Sequence, residues 1–306
     1  MKNHPSDCRT ADDAVRGLDL SSHTVLVTGC ASGLGLETLR ALSRRGASII
    51  ALARTRASAE QALSTAGARG VPVECDLADL KSVHRAVEMV RGLETTLDAL
   101  VASAGVIGGK ELVKANGLEL QFQVNYLGHF ALINGLVDVL QDGRSRIVIV
   151  SSDAAVKQAP KEGIRFDDLS GDRTYAPFTF YGQSKLACAI YAKELARRLA
   201  PRKIDVNSVH PGAVRGTGLN RNLAFPLNLV LKVASFFMKS VEEGAATQTF
   251  LAANPAARGV TGRYWVDCRV SDGSPHLDDA AMATRLWDIS SEIASRSGSG
   301  RNASPS

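Results

Sequence analysis

The stretch FYGQSKLACAI, residues 180–190, sets Tyr181 four residues before Lys185 in a segment whose pattern predicts a helix. That spacing stacks both side chains on one helical face. An ordinary phenol has a pKa near 10, and an ammonium held beside a phenol favours its phenolate, so such a pair can exchange a proton with a bound molecule. By itself the spacing is equally that of an exposed polar pair, and its neighbours must decide. Gly29, Gly33 and Gly35 crowd the segment TVLVTGCASGLGLETLRAL, between an apolar run and a helical pattern. Glycine suits a turn whose backbone bends sharply and approaches a ligand with no Cβ in the way. The helix start behind it offers unpaired N–H groups and a positive dipole end, which together attract a pyrophosphate. Placement straight after the first apolar strand favours a dinucleotide site over an ordinary turn.

The elements that must position these residues alternate from residue 24 onward. TVLVT (24–28), SIIALA (48–53), VPVEC (71–75), LDALVAS (97–103), RIVIVS (146–151), IDVNSVH (204–210) and RYWV (263–266) read as strands. Segments such as DLKSVHRAVEMVRGL between them are long enough for crossover helices. Continuous apolar strands with helical connectors predict a Rossmann-type, doubly wound α/β fold: a mostly parallel seven-stranded sheet with helices on both faces. With 306 residues and 45% apolar content, one large domain is expected, over 20–290, after an N-terminal extension 1–19 and before a disordered polar tail 291–306.

Composition narrows the function. Lys and Arg total 36 against 31 Asp and Glu, a net charge of +5, but the basic residues are scattered rather than gathered into a stripe, which argues against nucleic acid. Cysteines 8, 30, 75, 188 and 268 are widely spaced, show no metal pattern and read as reduced, buried thiols of a cytoplasmic protein. The first twenty residues contain no apolar run. The most hydrophobic segment, LAFPLNLVLKVASFFM (223–238), is interrupted by Pro226, Asn228 and Lys232 and is too short to span a bilayer.

The spacing Thr28-Gly-x-x-x-Gly-x-Gly35 together with Tyr181-x-x-x-Lys185 resembles the short-chain dehydrogenase/reductases, from about residue 18 to 290. CDLADL (75–80), VNYLGHF (124–130), IVIVSS (147–152) and HPGAV (210–214) match further motifs in order, and the closing GRYWVDCR resembles the retinol-dehydrogenase-like branch. The resemblance implies a catalytic tetrad of Asn125, Ser152, Tyr181 and Lys185. In it Tyr181 is the acid/base, Lys185 supports the phenolate and bonds the nicotinamide ribose, Ser152 steadies the substrate oxygen, and Asn125 kinks its helix and holds a relay water. It further implies cofactor contacts from Gly29, Ser32, Gly33, Leu34 and Gly35, from Arg54, from Asp76 and Leu77, and from Ala104 and Gly105. Tyr181, Lys185, Pro211, Gly212, Val214 and Thr217 complete the set.

The second strand ends in Ala53, with Arg54 next and Arg56 nearby, where a carboxylate would grip ribose hydroxyls and repel a 2′-phosphate. A guanidinium suits phosphate, so NADP(H) is favoured, with NAD(H) as the alternative. Three departures from the family pattern stand out. Asn-Asn-Ala-Gly appears as Ala102-Ser-Ala-Gly105, Ser152 and Tyr181 are 29 residues apart, and Thr217 falls one residue late. The apolar segment about 215–240 lies where family members fold a lid, which suits a lipophilic alcohol, ketone or aldehyde. The competing readings are a protochlorophyllide-type double-bond reductase and a regulator that senses NADP(H) without turnover. Homo-oligomers are common in the family.

Overall fold

The computed structural model describes residues 8–215 and 238–298. The apolar runs become the parallel strands β1 (Thr24–Thr28), β2 (Ser48–Ala53), β3 (Gly70–Glu74), β4 (Ala99–Ala102), β5 (Arg146–Val150), β6 (Asp205–His210) and β7 (Tyr264–Val266). Their spatial order is β3-β2-β1-β4-β5-β6-β7. An eighth strand, β8 (Arg269–Ser271), pairs antiparallel with β7 and corrects the expected seven strands to eight. All three of its residues are exposed, so it has no buried face to leave a hydrophobic signal. Asp267 and Cys268 join it to β7 at φ values of 51° and 57°, the left-handed region that tight hairpin turns require.

Alternation within each strand divides the core into two layers. Leu26, Leu100 and Ile147 point into one, whereas Val25, Val27, Val101 and Val148 point into the other. Burial on both faces explains why the strands read as unbroken apolar runs. Helices α1 (Gly33–Ser43), α2 (Arg56–Ala66) and α6 (Ala246–Ala253) cover the second layer. Helices α3 (Leu80–Arg91), α4 (Gly128–Gly135), α5 (Pro177–Arg198) and α7 (Ala280–Gly298) cover the first. The chain steps outward from β1 to β3, then returns to lay β4 on the other side of β1. A crevice opens at that reversal, outside the carboxyl ends of the strands.

Both ends of the described chain pack onto this domain. Helix α7 runs past residue 290 to Gly298: Trp287 packs within 5.2 Å of Phe130 under the Arg198 guanidinium, and buried Ser290 meets the Tyr126 hydroxyl at 2.7 Å. At the other end, Ala11, Ala14 and Val15 are buried, and Asn254 Nδ2 donates to Ala14 O at 2.7 Å. The segment closes with a disulfide between Cys8 and Cys268, which corrects the expectation of five reduced thiols. Two cysteines separated by 260 positions carry no local signal of pairing; the packing of the N-terminal segment brings their Cα atoms to 6.3 Å. Cys30, Cys75 and Cys188 are free and buried as expected. Most of the expected lid, about 215–240, and the end of the expected tail lie outside the described residues. Among the described residues no helix is long and apolar enough to cross a membrane.

Candidate active site

Steric demands account for two of the turn glycines. Gly29 has φ of 65°, and a Cβ there would sit 2.7 Å from Ala104 Cα. A Cβ on Gly35 would come within 2.4 Å of Gly29 O. Any side chain at either position would push the turn away from β4 or from helix α1. Ser32 precedes that helix in extended conformation and makes no side-chain cap, so the first N–H groups stay open to an anionic group.

A cavity of about 600 Å³ lies along the strand ends. It is lined by Gly29, Ser32, Leu34 and Gly35 from the turn, Arg54 after β2, Asp76 and Leu77 after β3, and Ala104 and Gly105 after β4. Ser152 after β5, Tyr181 and Lys185 from α5, and Pro211, Gly212 and Val214 after β6 complete the expected lining. Gly33 shapes the turn without lining the cavity, Asn125 lies behind its wall, and Thr217 is outside the described residues. Arg56 is engaged with Glu60 at 3.0 Å, whereas exposed Arg54 has no ion pair among the described residues. Of the two arginines, Arg54 is therefore the one free to meet a ligand. Cys75 also lines the cavity, but burial pushes its pKa up to about 12 and keeps it a thiol.

Helix α5 delivers Tyr181 and Lys185 to the same wall. Lys185 is 3% exposed, its Nζ donates to Val150 O at 3.0 Å, and it stands 5.9 Å from the Tyr181 ring centre. The two serines after β5 part company. Ser151 is buried and donates to Lys185 O at 2.7 Å, so its hydroxyl is committed to holding α5 against the strand. Ser152 Oγ accepts from Ala154 N at 3.2 Å and lies 3.4 Å from Asp153 Oδ1, which leaves its hydrogen weakly held. Behind them His210 Nδ1 accepts from the backbone of Asp153 at 3.1 Å and of Gly212 at 3.4 Å, and burial holds the imidazole pKa down.

Asn125 sits in a π-helical turn, Phe122–Leu127, that interrupts the approach to α4. Such turns recur at functional sites because they reposition a side chain and loosen backbone bonding. Its Oδ1 accepts from Val106 N at 2.7 Å, and its Nδ2 donates to Val106 O at 3.0 Å and to Ser184 Oγ at 2.9 Å. Ser184 in turn donates to Tyr181 O at 2.8 Å. Asn125 thus clamps the segment after β4 to the helix that carries Tyr181. Its backbone carbonyl faces His129 Nδ1 at 2.9 Å and accepts from Cys188 Sγ at 3.1 Å.

His129 is fixed by what lies beyond it. Thr28 Oγ1 accepts the N–H groups of Ser103 and Ala104, each at 3.0 Å, so its own hydrogen goes to His129 Nε2 at 2.9 Å. The imidazole proton must then sit on Nδ1 and donate to Asn125 O. Burial lowers the His129 pKa to about 4, consistent with that neutral ring. Neither Thr28 nor His129 was singled out from sequence as a site residue, although His129 stands four positions after Asn125 and so shares its helical face. Among the described residues no group of His, Cys, Asp or Glu could hold a metal ion.

Residues 29–268 match the family model described as enoyl-(acyl carrier protein) reductase. Retinol dehydrogenase 14 of Mus musculus is 41% identical over 286 residues, covering 87% of this chain and 84% of that protein. An uncharacterized protein from Mycobacterium paratuberculosis superposes with a TM-score of 0.74 at 30% identity, over 92% of this chain and 97% of that one. A short-chain dehydrogenase from Burkholderia cenocepacia in complex with NADP superposes at 0.63 with 25% identity, over 80% of this chain and 96% of that one. The strand order, the glycine turn and these likenesses agree: the chain belongs to the short-chain dehydrogenase/reductase family of oxidoreductases, in its retinol-dehydrogenase-like branch.

Proposed function

We propose that the protein is an NADP(H)-dependent oxidoreductase that interconverts an alcohol and a carbonyl on a lipophilic small molecule. The observation that carries this reading is one cavity lined by the glycine turn, by Arg54, which has no ion pair among the described residues, and by the trio Ser152, Tyr181 and Lys185. Strands β2 and β5, which lead to Arg54 and Ser152, lie three strand steps apart, a span of about 14 Å that suits a dinucleotide laid across the strand ends. Bound nicotinamide supplies or accepts the hydride.

The remaining chemistry belongs to this chain. The turn N–H groups take the pyrophosphate, and Arg54 takes the 2′-phosphate through its planar fork of donors. Asp76 borders the adenine end. Ser152 turns its weakly held hydrogen toward the substrate oxygen, where charge develops. In reduction Tyr181 gives its phenolic proton to that oxygen, and in oxidation it takes the proton back. The Lys185 ammonium stabilises the phenolate between these states, and its bond to Val150 O keeps it in place. Ile107, Leu120 and Val124 give the substrate end an apolar lining, in keeping with a lipophilic substrate.

The test is titration of the purified chain with NADPH and NADH by nicotinamide fluorescence, then turnover on a panel of lipophilic ketones and aldehydes. Tighter NADPH binding with turnover of a carbonyl supports the reading. Binding without turnover of any carbonyl shifts the function to cofactor sensing. Reduction of an activated C=C bond is a second reading, favoured by the description of the matching family model. An α,β-unsaturated thioester therefore joins the panel.

A further inference from the structure

Helix α6 contributes a residue that no sequence motif marks. Gln248 has 0% exposure, and its Nε2 reaches Leu34 O at 3.2 Å, Thr38 Oγ1 at 2.5 Å and Ser103 Oγ at 3.2 Å. Leu34 and Thr38 belong to α1, and Ser103 follows β4. One amide therefore ties together two walls of the cavity, since both Leu34 and Ser103 line it. The side chain comes from an element remote in sequence, and it meets the segment Ala102-Ser-Ala-Gly105, which carries no amide of its own.

Two details argue that this amide serves the cavity rather than the core. Ser103 Oγ is an acceptor for Gln248, and no other bond holds that hydroxyl among the described residues, so its hydrogen is free to turn toward the cavity that Ser103 lines. Gln248 Oε1 is buried with no partner among the described residues. A buried acceptor left unpaired is destabilising, and an apolar residue of similar volume would avoid it. The amide is a poor filler whose gain lies in its Nε2 bonds.

We infer that Gln248 is a positioning residue for the cofactor: it sets the separation between the first turn of α1 and the end of β4, and it presents the Ser103 hydroxyl as a donor to a phosphate or ribose oxygen of the dinucleotide. This rests on the nicotinamide reading proposed above. The experiment is NADPH fluorescence titration of the full chain and of Gln248→Leu, Ser103→Ala and the double variant, with thermal melting of each without cofactor. In Gln248→Leu the NADPH Kd rises about tenfold whatever the melting temperature does, because the two walls and the Ser103 hydroxyl lose the bonds that set them. Ser103→Ala raises Kd in the same direction, and the double variant falls short of the sum of the two single losses, because the glutamine acts in part through the serine. A lowered melting temperature with unchanged Kd in Gln248→Leu makes the residue merely structural and overturns the inference. Should Gln248→Leu fail to fold, unchanged Kd in Ser103→Ala overturns it equally. A wild-type chain that binds neither NADPH nor NADH defeats the cofactor reading itself, whereas wild-type binding matched by both variants defeats only the role of Gln248.

Discussion

The cavity has two walls of different construction. On the side of β1 and β4, Thr28, His129, Asn125 and Gln248 are at least 98% buried and bond to one another's neighbours through neutral groups. On the side of β5 and β6, buried bonds from Ser151 and Lys185 fix α5 to the strand, but charges at the surface hold the rim: Asp153 pairs with Lys157 at 2.7 Å, and Lys239 pairs with Asp267 beside Gly212. Buried neutral networks resist salt and keep one geometry, whereas exposed ion pairs are screened and individually weak. The first wall keeps one geometry, as the proposed dinucleotide site requires. The second leaves Ser152 and Tyr181 in a setting that a substrate can rearrange.

The strongest way to separate the walls is to remove the proposed proton donor. Tyr181→Phe is expected to lower turnover by about 10²–10⁴-fold while NADPH Kd changes little, as checked by steady-state kinetics beside fluorescence titration. A parallel loss of cofactor binding would mean that Tyr181 belongs to the binding wall, and the division would fail. Arg54→Ala works from the other end. A charge-assisted bond to phosphate contributes about 1.5–3 kcal/mol, so NADPH affinity should fall roughly ten- to hundredfold with NADH affinity unchanged. Equal weakening of both cofactors would remove Arg54 from the 2′-phosphate.

Acid reaches both walls, because burial holds down the pKa of His129 on one and of His210 on the other, and a variant at His129 isolates the buried network. The folded-state pKa of His129, lowered by burial to about 4, lies below the 6.5 of an ordinary imidazole, so between these values the unfolded chain binds the extra proton. Stability from this group is full above pH 6.5 and is lost as pH falls toward 4, by about 2 kcal/mol at pH 5. Thermal melting from pH 7 to 5 should show that slope in the wild type and a flatter one in His129→Gln, which keeps an amide donor and acceptor but does not titrate. Parallel slopes would show that other groups govern acid stability.

What could be read without coordinates was local. The glycine turn and Tyr181-x-x-x-Lys185 are each contained in one turn or one helical step, so spacing reveals them. Strands buried on both faces announce themselves as apolar runs. By contrast, Ser151 and Ser152 are adjacent and chemically identical; only the Lys185 carbonyl, brought alongside by tertiary packing, distinguishes them. Gln248 and the Cys8–Cys268 pair depend on contacts over more than 140 residues of chain and had no local pattern to betray them. Helix α7 continues past the apparent end of its domain because Ser290 and Trp287 find partners on α4, α5 and the π-helical turn, and a polar exposed face conceals that docking.

The smallest expected effect tests the weaker wall. Lys157 is 71% exposed and its partner Asp153 is 43% exposed, four residues apart on a short helix and its cap. Burial alone would raise the Asp153 pKa, but hydrogen bonding to Lys157 and the nearby His210 outweigh it and leave the group below its ordinary value. The carboxylate is therefore ionised at neutral pH with or without the lysine, and in Lys157→Ala solvent takes over the lost contact. Turnover should change by less than about twofold at physiological salt, because exposed pairs of this kind contribute little. A tenfold fall that salt reproduces in the wild type would show instead that Lys157 restrains Asp153 from capturing the Ser152 hydrogen. In that case the charged wall would control catalysis through one serine rotor, and its looseness would be a regulated property rather than a consequence of exposure.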